Sequence, residues 1–193
     1  MQFENVIWEG RFQPIHLGHV AYVRKLLEYA KHLLVFVVEN ERSSDLGFNP
    51  NDLPVPEFTE IVDAHHAPEK NPLPFWFRYR LVVETLRDEF PDAPIIIWGG
   101  RRLDLSWPFS VKTLPPGRIF IIPERDSFED AKAAAWTKLG EKVMRIDVST
   151  LPKISASLLR ERIRSGQRVD DLLCPTTERI LRETGFYEKI AQQ

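Results

Sequence analysis

What this chain lacks narrows it first. Its one cysteine, Cys174, can close no intramolecular disulfide and build no cysteine-based metal cluster, and a chain made this way suits a reducing compartment. Neither sign of charge dominates. With 26 basic residues against 28 acidic ones there is no overall field to recruit nucleic acid or an anionic membrane, so any anion site must be local. Long hydrophobic runs are also missing: Leu33 to Val38, the longest, suits a buried strand and not a membrane span. No basic segment followed by an apolar stretch precedes the first strand, so the expected location is cytoplasmic. There is no internal repeat. The pair His65-His66 is a poor chelate because adjacent side chains point apart, and no carboxylate cluster marks a protein-held metal.

What is present reads as one domain over residues 1–193, since 193 residues with a 43% hydrophobic share can bury one sizeable core. Short apolar runs at Val6-Ile7-Trp8, Leu33–Val38, Pro94–Trp98, Ile119–Ile122 and Lys142–Val148 predict five strands. Between them lie helical patterns: Val20, Val23, Leu26, Leu27 and Ala30, then Leu81, Val82, Leu86 and Phe90, then a segment opened by Asp126 and Glu129 in a capping-box arrangement. Strands that are apolar on both faces and alternate with helices predict an α/β fold with a doubly wound parallel sheet. The proline-rich stretch Asn40–Pro74 reads as a long surface loop with a short helix near Glu57–Ala64.

The densest chemistry follows the first strand, in Gly10-Arg11-Phe12-Gln13-Pro14-Ile15-His16-Leu17-Gly18-His19. A strand, a glycine-containing turn and a helix start bring backbone N–H groups and the positive end of a helix dipole to one place, and Arg11, His16 and His19 add donors there. The implied ligand is a phosphate. His16 and His19 are three apart, so their rings can share one side of the first turn, and Gly18 lets another segment approach closely. Far along the chain, Ile154-Ser155-Ala156-Ser157-Leu158-Leu159-Arg160 opens another helix, where the serines can cap N–H groups or donate to a phosphate. The third strand ends in Gly99-Gly100, at the end of a parallel sheet where ligands bind.

The first segment resembles the signature of the nucleotidyltransferase superfamily with the HxGH motif, closest to the nicotinamide mononucleotide adenylyltransferases. Ile-Ser-x-Ser-x-x-Arg resembles the superfamily's second signature, with Ser157 keeping a hydroxyl where threonine is usual. From the third strand onward the chain also resembles the bacterial nicotinate mononucleotide adenylyltransferases through Gly99, Leu103 and Trp107, whereas Arg101 stands where that family has aspartate.

The resemblance implies a Rossmann-like domain, with residues 151–193 as a carboxyl-terminal helical part carrying the second motif. It assigns catalysis to His16, His19 and Arg160. Nucleotide binding falls to Gly10, Arg11, Phe12, Gly18, Ile154, Ser155 and Ser157, and acceptor binding to Gly99, Arg101 and Trp107, with Trp107 stacking on a pyridine ring. The implied reaction joins AMP from ATP to nicotinate or nicotinamide mononucleotide and releases pyrophosphate, with Mg2+ carried by the triphosphate. A cytidylyl or adenylyl transfer to another phosphorylated or phosphonate small molecule stays open, as does a nucleotide sensor without turnover. The expected partners are the triphosphate and the acceptor, with neither nucleic acid nor membrane; a homo-oligomer is left open.

Overall fold

The computed structural model describes residues 2–192. Five strands, β1 (Phe3–Gly10), β2 (Ala30–Val38), β3 (Ile95–Gly100), β4 (Arg118–Glu124) and β5 (Val143–Asp147), form one sheet in the order β3-β2-β1-β4-β5. Every pairing is parallel. This is the doubly wound, Rossmann-like α/β arrangement, and its order reverses between β1 and β4, which opens a crevice at the carboxyl ends of those two strands.

Alternation along β1 explains why helices cover both faces. Val6 and Trp8 join one core with Val35 and Val37, packed by α1 (Leu17–Leu27), α3 (Phe75–Glu89), α6 (Ala156–Arg164), α7 (Pro175–Glu183) and α8 (Phe186–Ala191). Ile7, Leu34 and Phe36 point to the other face and join Phe120 and Ile122 under α2 (Pro56–His65), α4 (Leu103–Thr113) and α5 (Ser127–Lys138). Each fully buried leucine or isoleucine here contributes about 1.5–3 kcal/mol relative to exposure.

Three details differ from the sequence pattern. Helix α1 stops at Leu27, and Ala30, which continues the helical spacing, opens β2 opposite Phe3 because the strand needs its length to match β1. Residues 40–74 are a packed layer: Val55, Phe58, Thr59 and Val62 are buried against the second core, with short 3-10 turns on either side of α2. Helix α4 carries Pro108 in its interior and a weak apolar pattern, yet Leu103 and Trp107 hold it against the sheet.

Candidate active site

His16 is the N-cap of α1, with an extended backbone, and its own N–H donates to His19 Nδ1 at 3.3 Å. The two rings stack with centroids 3.7 Å apart. Because Nδ1 of His19 is an acceptor, the neutral ring carries its proton on Nε2 and presents a donor. Burial is the main reason both rings stay neutral: it pushes His16 down to about 3, aided by the positive charge of Arg125. His19 is likewise held well below the usual range by burial, then by His16, Arg125 and Arg11.

The turn before α1 is held from below. Phe12 takes a left-handed φ of 52° and is buried, its ring edge-on to Trp8 and to His19, and it closes over Gly10 so tightly that a Cβ there would meet the ring at 2.9 Å. Phe12 therefore shapes the turn from within the core and offers only its backbone to a ligand. Gln13 clamps the far segment through two bonds with Leu73, Nε2 to the carbonyl at 3.1 Å and the Leu73 N–H to Oε1 at 3.0 Å.

The second motif packs directly on the first. A Cβ at Gly18 would lie 3.3 Å from Cβ of Ile154, and Arg160 donates to the Gln13 carbonyl at 2.8 Å and to Ser157 Oγ at 3.4 Å. Ser155 acts as the N-cap of α6, accepting the Leu158 N–H at 3.1 Å, so its hydroxyl is engaged in helix capping.

Three guanidinium groups meet here without an ion pair, although the negative charge of Glu39 reaches Arg78. Arg11 reaches the His65 carbonyl and Asn71 Oδ1; Arg78, on α3 and fully buried, reaches the carbonyls of Arg11, Val38 and Leu73; Arg160 bonds as above. None of the three forms an ion pair among the described residues, and Nη2 of Arg78 has no protein partner. Burial lowers both Arg11 and Arg78 to about 10, in each case with a neighbouring arginine adding to the effect. Arg78 belongs to neither signature; the sequence signal for it is the aromatic and basic run Phe75–Arg80, which loosely resembles a basic segment that precedes a helix near the phosphates in the family.

The expected acceptor residues fare differently. Gly99 is needed for packing, since a Cβ would meet the Val37 carbonyl at 2.7 Å and the Phe75 ring; the open space lies at Gly100, which takes φ +156°. Arg101 is half-exposed and paired with Glu41 at 3.3 Å. Its neighbour Arg102 is buried, bound to Asp63 and, in two-pronged fashion, to Asp104. Trp107 is in the core, stacked on Trp136 with centroids 5.5 Å apart and with the Arg118 guanidinium 6.0 Å from its ring. The rings of His65 and His66 do part company, one lying edge-on to Phe128 and the other buried among arginines. No helix among the described residues is long and apolar enough to cross a membrane.

The chain is similar to known proteins. The chain is 27% identical over 94% of its length to a phosphonoformate cytidylyltransferase of Streptomyces viridochromogenes, spanning 92% of that protein. It is 23% identical over 95% of its length to a "probable nicotinate-nucleotide adenylyltransferase" of Staphylococcus saprophyticus, spanning 97% of it. In three dimensions it follows a bifunctional NMN adenylyltransferase/ADP-ribose pyrophosphatase from Francisella tularensis, solved with AMP and a manganese ion. There the TM-score is 0.62 at 12% identity, over 99% of this chain and 52% of the other, so the chain spans about half of that protein and the likeness concerns the fold. Residues 7–162 match the cytidylyltransferase-like family model, a span that takes in both motifs and every strand between them, and the chain accordingly belongs to that family of HxGH nucleotidyltransferases.

Proposed function

We propose that this nucleotidyltransferase moves a nucleoside monophosphate from a triphosphate to the anionic oxygen of a small phosphorylated or phosphonate acceptor. The observation that carries this reading is the convergence of Arg11, Arg78 and Arg160, none of them in an ion pair among the described residues, beside two neutral histidines at the end of β1. Buried cations without counter-charges are costly, and a polyphosphate is the partner that this arrangement suits.

In the proposed step an acceptor oxygen, already ionised near neutral pH, attacks the α-phosphorus in line. The bond to the bridging oxygen breaks and pyrophosphate leaves with its electron pair. Arg11 and Arg160 neutralise charge on the phosphates, and His19 Nε2–H donates to an oxygen on which charge builds. A divalent cation, Mg2+ in our reading, would arrive on the triphosphate. The side chains around the motif histidines are cationic or neutral, so they suit the phosphates and not the ion.

For the acceptor we favour a phosphonate or a small phosphate over a pyridine mononucleotide, and a cytidylyl over an adenylyl donor. The burial of Trp107 supports this, as does the relative named for phosphonoformate. Adenylyl transfer to nicotinate mononucleotide is the second reading, supported by the Staphylococcus relative. The test is pyrophosphate release with each common triphosphate against phosphonoformate, other phosphonates, small phosphate esters and both pyridine mononucleotides. CTP with a phosphonate should give the fastest release. Activity only with ATP and a pyridine mononucleotide would select the second reading, and no release with any pair would leave a nucleotide sensor.

A further inference from the structure

The crevice at the strand-order reversal has two walls, and the motifs account for one. Its other wall starts where β4 ends, at Glu124, and turns through Arg125 and Asp126 into α5. Helix α1 lies on one face of the sheet and α5 on the other, so Arg125 stands across the crevice from His16 and His19. Both histidines feel its positive charge.

Arg125 is free to move. Its side chain is 57% exposed and binds Asp126 at 3.1 Å and Glu129 at 2.8 Å. Neither acid depends on it. Glu129 keeps Lys132 at 3.6 Å, and Asp126 keeps its cap on the Glu129 N–H at 3.1 Å. The adjoining cleft is lined by Glu124, Asp126, Asp130 and Arg145 as well, and Arg145 spends its charge on Asp130 and the Pro123 carbonyl. The pair with Asp126 is exposed and contributes little, and Glu129, buried at 7% exposure, retains Lys132, whereas a guanidinium on a phosphate can gain two parallel charged hydrogen bonds, so a polyphosphate can draw Arg125 from these partners.

We propose that Arg125 is a further phosphate-binding residue, which leaves Asp126 and Glu129 to hold the polyphosphate from the side opposite the motif histidines. This rests on the reading of the crevice as a triphosphate site. In that position it binds the departing pyrophosphate, and it contacts the donor's β- and γ-phosphates and not the acceptor.

The test is calorimetric titration of the full chain with inorganic pyrophosphate, and separately with tripolyphosphate. The proteins are wild type, Arg125→Ala, Arg125→Lys and, as a charge control at the opposite end of the sheet, Lys31→Ala. Arg125→Ala should bind each anion about tenfold more weakly at an unchanged ligand-free melting temperature, Arg125→Lys should fall between, and Lys31→Ala should match wild type. In turnover, Arg125→Ala should raise KM for the triphosphate and leave KM for the acceptor alone. Equal binding by wild type and Arg125→Ala overturns the role of Arg125 and leaves the crevice reading standing. No binding by wild type overturns both, and an equal loss in Lys31→Ala reduces the effect to net charge and overturns the specific contact.

Discussion

Two groups of buried arginine lie beneath the carboxyl ends of the strands, and they are built on opposite plans. Arg78 and Arg102 are equally hidden, at 0% and 1% exposure. Arg102 is matched by Asp63 and Asp104, with Thr59 donating to Asp104 at 2.9 Å, so its charge is answered within the fold. Arg78, with Arg11 and Arg160 beside it, bonds only to carbonyl oxygens, and the charge of Glu39 reaches it without forming an ion pair. Burial alone does not separate structure from function; the identity of the partner does. A saturated cation fastens α2, α4 and the end of β2 together, whereas an unsaturated group keeps attraction in reserve for an anion from solution.

The sharpest way to break the contrast is to alter one side chain on each side of it. Arg102→Met strands two carboxylates and should cost about 3–5 kcal/mol of stability, read from urea unfolding. On the other side His19→Ala should leave the unfolding curve nearly in place and lower turnover roughly 10²-fold or more, the scale for losing one preorganised donor. Full activity in this variant would remove the first motif from the chemistry. Arg160→Ala should raise KM for the triphosphate by about ten- to a hundredfold and lower turnover as well, because a guanidinium on the polyphosphate acts in ground and transition states alike.

The histidines enclosed by the unanswered arginines sharpen the comparison through pH. His16 has a folded value near 3 against 6.5 for a free histidine, so below 6.5 the unfolded chain takes up a proton that the folded one refuses. Its contribution is whole above 6.5 and is lost as pH falls toward 3, with a slope of at most about 1.4 kcal/mol per pH unit. Unfolding midpoints of wild type and His16→Asn across that window measure it, and parallel curves would disprove it. The smallest effect belongs to Arg101→Ala, whose surface pair with Glu41 is worth under about 1 kcal/mol. A change in acceptor KM without a change in stability would show that Arg101 still serves the acceptor.

Arg101 and Arg102 also show how far the sequence could be read. Two adjacent arginines after a strand are indistinguishable in composition, and only the start of α4 decides that one turns inward to Asp104 while the other stays outside. Trp107 was opaque for a related reason, since nothing in its neighbours announces the distant Trp136 that covers it. The five strands were legible because both of their faces are apolar, and the two motifs because the spacing of His16, Gly18 and His19 sets up the turn that places them. In residues 40–74 the short helix near Glu57–Ala64 was legible, with Pro56 at its start, where proline is welcome, but the surrounding prolines hid how far Val55, Phe58, Thr59 and Val62 are packed.

The contact between Gly18 and Ile154 carries a consequence for heredity. A methyl group on Gly18 would press on Ile154 at 3.3 Å and on the His16 ring at 3.1 Å, so Gly18→Ala alone pushes the first motif histidine out of line. Shortening residue 154 to valine does not relieve this, because the atom met is its Cβ, which valine keeps, and the His16 ring stays where it is. A library randomised at both positions and selected for activity should therefore return glycine at 18 whatever β-carbon-bearing residue stands at 154, so the second motif helps decide what the first can inherit.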